Sequence, residues 1–318
     1  MLQNHKLSAV LVMLMLMLLG CKSDESVSFD PLPKQNDSND PLDKYLYAEF
    51  QQTFNCMVRY RFVNRYVDDS KRVTPPDRSL VQPYMDFLKD HWVHPYLESG
   101  SGSETLIRKL FPAEIVLIGS PMYNLDGTVT LGTADAGVRI TLTEVNDFDL
   151  ENLNWKISQL HVMQHEFSHI IHQKYDLPDN YQKISEGDYT GSGWTIKDYS
   201  EMLRLGFVTP YASSDPNEDF AELVSNLLTL PESFFYERFL DINRNELGVL
   251  WAETDDGNAD PEVVRGKLRI QEKYEAVQKY FKEVLDIDFE MLRTNTLARL
   301  FPPSDVSQEK ELAASYQN

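Results

Sequence analysis

"HVMQHEFSHIIHQKY", residues 161–175, gathers four histidines and one glutamate into fifteen positions of an otherwise acidic chain. On a wheel of about 100° per residue with His165 at zero, Leu153, Leu160, Met163, Phe167, Ile170 and Ile171 fall between about 140° and 240°, while His165 and His169 fall near 0° and about 40°. The pattern predicts a helix with an apolar stripe on one side and both histidines opposite it. "HEFSH", residues 165–169, is His-Glu-x-x-His. Its i,i+4 spacing brings two imidazoles to one ion, for which Zn2+ is the expected choice, and leaves Glu166 a quarter-turn away to reach an activated water.

Two further histidines, His161 and His172, share that side of the wheel at about −40° and −20°. Neither has the reach to join His165 and His169 on one ion without tilting the helix, so both are read as cleft residues or as partners of the ligands. The three-histidine extension of the motif fails, because His172 stands where its glycine belongs and Tyr175 where its third histidine belongs. A third ligand, expected to be a carboxylate, must come from downstream. Glu186 and Asp188 in "SEGDYTG" and Glu218 in "YASSDPNEDFAELVSNLL" compete for the place. The last stretch has Asp215 as N-cap, Pro216 at the first helical position, and Phe220, Leu223, Val224, Leu227 and Leu228 on one side. Glu218 and Glu222 lie together on the other side, which suits a ligand and a carboxylate that orients a ligand histidine, and Glu218 is the favoured third ligand. Asp215-x-x-Glu218 is also a capping box, a pattern that needs no metal.

Away from the motif, the chain of 318 residues has 42% apolar and 11% aromatic content, enough to bury a sizeable core. Its net charge of −20 repels nucleic acid, and no nucleic-acid partner is expected. Residues 8–19, "SAVLVMLMLMLL", have the length of a signal-peptide core and are too short to span a bilayer comfortably. They lead into "LLGC", which resembles a bacterial lipobox. Residues 1–20 are therefore expected to be a lipoprotein signal peptide and Cys21 the lipidated N-terminus, with a membrane as partner through that anchor. With Cys21 acylated, Cys56 has no cysteine left to pair with. Residues 21–43 are rich in Asp, Ser, Asn and Pro, the composition of a solvated tether. "KSDES" just after Cys21 resembles a surface-export signal of some Gram-negative lipoproteins.

The fold is expected to occupy residues 44–318, with a helical part at 44–110 and a catalytic part at 111–318. "DKYLYAEFQQTFNCMVRYRFV" (43–63) and "SLVQPYMDFLKDHWVHPYL" (79–97) have helical spacing. "AEIVLIGS" (113–120), "GTVTLGTA" (127–134) and "GVRITLTEV" (137–145) are short β-branched runs divided by turn residues, hence a small sheet. Helices resume near residue 150, the clearest at 216–229 and 262–284. Sheet and helices together predict one α+β unit.

"HEFSH" with its long spacer to "NEDFAE" resembles the gluzincin metallopeptidases. The surrounding "GSPMYNLDGTVTLGTADAGVRITLTEVNDFD" and "LGFVTPYASSDPNEDFAE" are similar to the substrate import-associated zinc metallohydrolase lipoproteins. The resemblance implies a zincin-like metallopeptidase domain with a small mixed sheet packed on the histidine helix. In gluzincins with a comparable spacer, a tyrosine seven residues before the ligand glutamate stabilises the oxyanion, and Tyr211 occupies that place. The implied activity is a zinc endopeptidase on protein or glycoprotein, with Glu166 as base. The implied setting is the outward face of the outer membrane, beside a nutrient transporter and its binding lipoproteins. A non-catalytic surface binding subunit and a zinc amidase acting on glycan-linked amides are the alternatives. A strand such as 137–143 is expected to pair with extended substrate if it borders the cleft.

Overall fold

The computed structural model describes residues 38–61, 71–123, 129–130, 132–135, 138–254 and 257–302. The proposed signal peptide, Cys21 and most of the tether lie outside them. Helix α1 (Pro41–Leu46) begins three residues before the expected start of the fold. Asp40 caps it, and Asp43, assigned by composition to the tether, is buried under Tyr60 and Arg61. The helix continues as a π-helical stretch, Tyr47–Gln52. It does not run on to residue 63. Asn55 takes a left-handed backbone (φ 56°), and Met57–Arg59 form strand β1. The alternation of buried Val58 with partly exposed Met57 and Arg59 is a strand pattern that the aromatic spacing around it obscured.

Helix α2 (Arg78–Leu88) passes through a π-helical segment, Lys89–Val93, into α3 (His94–Leu97), and α4 (Ser103–Leu110) follows. The next strands are β2 (Glu114–Leu117), β3 (Met122–Tyr123), β4 (Val129–Thr130), β5 (Gly132–Asp135) and β6 (Arg139–Leu142). The main sheet has the order β1-β2-β6-β5; its first two pairings are parallel and the β5–β6 pairing is antiparallel. Strands β3 and β4 form a separate antiparallel pair. Glu114 ties three strands together, accepting hydrogen bonds from Arg59 of β1 and Arg139 of β6 at 2.9–3.0 Å. Because Arg139–Leu142 is paired on both sides, the described part of the expected substrate strand 137–143 has no edge to offer a substrate. The strand beyond it, β5, takes that position in the sheet.

Helix α5 (Leu153–Tyr175) carries the histidines and packs on β5 and β6. After it come α6 (Tyr181–Ile184), α7 (Tyr199–Leu205), α8 (Pro216–Thr229), α9 (Glu232–Phe235), α10 (Pro261–Val284) and α11 (Phe289–Leu300). The α+β expectation and the helices at 216–229 and 262–284 agree with this order. Core aromatics Trp92 and Tyr96 meet Phe167 of α5 edge-on, both with ring centroids 5.2 Å away, so the N-terminal helices back the face of α5 that points away from the histidines. Gly266 lets α10 approach α7 closely: a Cβ there would lie 1.8 Å from the Leu203 carbonyl oxygen.

Candidate metal centre

The site forms where α5 and α8 lie side by side and antiparallel, as their side-chain pairs show. His161 and His165 meet Glu222, while His165 and His169 meet Glu218. Asp215 caps α8, accepting from the backbone N–H of Asn217 at 2.8 Å and Glu218 at 3.3 Å. The cap fixes the first turn, and the Glu218 side chain turns toward the histidines. Its Oε2 is 3.1 Å from His165 Nε2 and 3.2 Å from His169 Nε2, and the two nitrogens are 3.1 Å apart.

These three atoms suit a metal for a chemical reason. Two imidazole nitrogens that face each other at 3.1 Å share at most one proton. Glu218 Oε2 is buried without a hydrogen bond of good direction, although both rings are near. A tetrahedral zinc site with bonds of 2.0–2.1 Å requires ligand atoms about 3.3 Å apart, close to the triangle observed. The donor set is therefore one that a zinc ion fits.

The other ring nitrogens are held from behind. His165 Nδ1 is 2.9 Å from Glu222 Oε1, and Glu222 Oε2 accepts from the Thr209 hydroxyl at 2.7 Å. His169 Nδ1 is 2.8 Å from His172 Nε2. With each Nε2 unprotonated toward a metal, the Nδ1–H of His169 donates to His172, and that of His165 stands beside Glu222 Oε1 without a well-aligned hydrogen bond. Thus His161 and His172 stand beside the centre as partners. Without a metal, burial presses the His165 imidazolium down, but the carboxylates of Glu218 and Glu222 hold its pKa up at about 10. Burial raises Glu218, yet the two histidines bring it to about 2. Glu222 is held well below the usual carboxylate range by His161 and His165 against the same burial penalty. His172, buried beside His169, falls to about 4 and is neutral at physiological pH.

Glu166 is buried on the same helix, and its charge acts on both His165 and Tyr211. Tyr211 lies over His165, ring centroids 6.0 Å apart and planes 25° from parallel, and it meets the Trp194 ring in a T-shaped contact with centroids 5.0 Å apart. Burial, followed by the Glu218 carboxylate, keeps its phenol protonated well above its ordinary range, so it stands as a hydrogen-bond donor. Asp188 accepts from Arg269 at 2.7 Å, and Glu186 is exposed; neither is among the side chains gathered here. The sequence reading missed Thr209 and Trp194. Neither has a motif, and Thr209 could have been found only as a hydroxyl close before a helix that carries two functional carboxylates.

A His-Glu-x-x-His helix with a carboxylate from a second, capped helix defines a zinc metallohydrolase centre. The chain belongs to the family described as "Putative zinc-binding metallo-peptidase", whose model matches residues 35–290. It is similar to a crystal structure of a putative zinc-binding metallo-peptidase from Bacteroides caccae, with 32% identity and a TM-score of 0.64. The match covers 88% of this chain and 98% of that one. No curated protein matches the chain.

Proposed function

We propose that the protein is an endopeptidase whose zinc is held by His165, His169 and Glu218. The observation that carries this reading is the convergence of three donor atoms at 3.1–3.2 Å with Glu166 buried beside them. Bound zinc supplies Lewis acidity, which makes water nucleophilic near neutral pH and polarises a carbonyl. Glu166 accepts the proton of the attacking water and delivers it to the leaving amine. Tyr211 donates a hydrogen bond to the oxyanion, an interaction worth most in the transition state. Glu222 and His172 fix the tautomers of the ligand histidines. Extended peptide is accommodated along β5, the strand at that end of the sheet.

In this proposal Cys21 is acylated and holds the domain at the outer face of the outer membrane, where it degrades protein or glycoprotein for uptake beside a nutrient transporter. Among the described residues no helix is long and apolar enough to cross a membrane. The test is Glu166→Gln, assayed for metal by elemental analysis and for cleavage of a mixed peptide and glycoprotein library. We expect full zinc content and a loss of at least about 10²-fold in hydrolysis. A variant that cleaves at the wild-type rate would remove Glu166 from the mechanism.

A further inference from the structure

Beside the candidate zinc centre, between α5 and α8, lies a cavity of about 470 Å³, a volume of the kind that encloses a small organic group. His161 and Glu222 line it. The first stands four residues before His165 and the second four after Glu218, so about 6 Å along each helix separates the cavity from the three donor atoms. A group attached next to a scissile bond at the zinc can reach that far. The rest of the polar lining includes Asn154, Ser158, Tyr199, Asn226 and Thr229, and Ile157, Val162 and Leu230 give it apolar surface.

Charge narrows the occupant. Glu222 is the lining carboxylate, and His161, His165 and Thr209 already surround it. A cationic side chain would have to compete with all three, and an anionic one would face Glu222 itself. An apolar group would cover hydroxyls and amides without replacing their hydrogen bonds to water. Hydrogen-bond direction narrows it further. The buried Asn226 side chain donates its Nδ2 to the Glu222 carbonyl oxygen at 2.8 Å, and the buried Thr229 hydroxyl donates to the Ser225 carbonyl oxygen at 2.7 Å. Asn226 keeps its amide oxygen and a second N–H, and Thr229 keeps its oxygen as an acceptor. The occupant must therefore be neutral and rich in groups that both donate and accept, as hydroxyls and amides do. The cavity is larger than an unmodified Ser, Thr, Asn or Gln side chain fills, and the half-exposed ring of Tyr199 offers a flat apolar surface at its edge.

We infer that this cavity is a specificity subsite that takes a neutral, hydroxyl-rich group, by size a sugar residue carried by the substrate beside the cleaved bond. The inference rests on the peptidase reading above, and its test is read by binding as well as by cleavage. The probes are a threonine-centred peptide and the same peptide bearing one N-acetylhexosamine on that threonine. By calorimetry on zinc-loaded Glu166→Gln protein, the sugar-bearing peptide should bind at least tenfold more tightly. Ser158→Leu, which fills the cavity, should bring the two affinities together. Asn226→Leu should do the same, and Ser158→Leu decides the matter if the loss of the Asn226 bond to Glu222 unfolds the protein. Equal binding of the two peptides, or tighter binding when lysine, aspartate or leucine replaces the threonine, overturns the subsite. If the wild-type protein cleaves neither peptide while the binding difference holds, the subsite stands and the peptidase reading fails. If it cleaves both peptides and binds them equally, the peptidase reading stands and the subsite fails.

Discussion

At the scale of single residues, the centre depends as much on what stands behind the histidines as on the atoms that face the metal. Glu222 Oε1 lies 2.9 Å from His165 Nδ1, and Thr209 holds the other oxygen of that carboxylate. Glu222→Gln keeps the shape but loses the charge that favours Nδ1–H, so zinc affinity should fall about 10–100-fold, measured by competition with a chelating dye. Glu218→Ala removes a donor atom and should lose most of the metal under the same conditions. If Glu218→Ala keeps full zinc and Glu222→Ala does not, the two carboxylates have exchanged roles. His165, Glu166 and His169 were legible because a fixed spacing on one helix encodes them. Glu218 was legible only as one of three carboxylates, because its approach depends on how α8 packs on α5. Thr209 left no local trace, since a hydroxyl that steadies a carboxylate looks in sequence like any other threonine.

At the scale of elements, the helical wheel found α5 and the side its histidines share, but not what packs against that side. The side opposite the apolar stripe is not a free surface, since α8 lies against it and His165 is buried there, and Gln159 and Gln164 at the margins of the stripe are buried against the N-terminal aromatics. Tyr84 donates to Gln159 at 2.7 Å and Tyr96 to Gln164 at 3.2 Å, which lets polar residues sit inside. Periodicity cannot separate such a face from a solvated one. The first turn of α8 is tied to α10 by Lys273, whose ammonium is 2.7 Å from Asp219 Oδ2, with both side chains 1% exposed. Tyr189 donates to the same oxygen at 2.9 Å. Lys273→Met leaves a buried carboxylate without its cation and should cost about 3–5 kcal/mol in chemical denaturation. Replacing Asp219 and Lys273 together by apolar residues should recover much of that loss. In the sheet, burial raises the Glu114 pKa, but Arg139 and Arg59 more than offset it and hold the carboxyl below its usual value. Its stabilisation is therefore complete above the unfolded carboxyl pKa and is lost as pH falls through the lower folded one. Glu114→Gln should flatten that part of the acid stability curve, measured as unfolding midpoint against pH.

At the scale of the whole molecule, the proposed position of the enzyme joins the anchor to the charge. Acylation contributes about 0.8 kcal/mol per buried methylene, so more than one chain on Cys21 gives stable attachment without a spanning helix. Between Cys21 and the start of α1 at Pro41 lie about twenty residues of tether composition, whose coil reach is about 25 Å. The chain as a whole carries a net charge of −20, so in the proposed position the domain would be repelled by an anionic surface and its cleft would stay open to polymers arriving from solution. Such reach serves a hydrolase that shortens large substrates before a transporter takes them up. On the inner face, the same enzyme would meet only what had already crossed. Protease treatment of intact cells tests this directly: the domain should be digested while periplasmic markers survive. Its persistence until the outer membrane is broken would refute outward display. Cys21→Ala should release the protein from the membrane fraction on either face, which separates the test of the anchor from the test of its orientation.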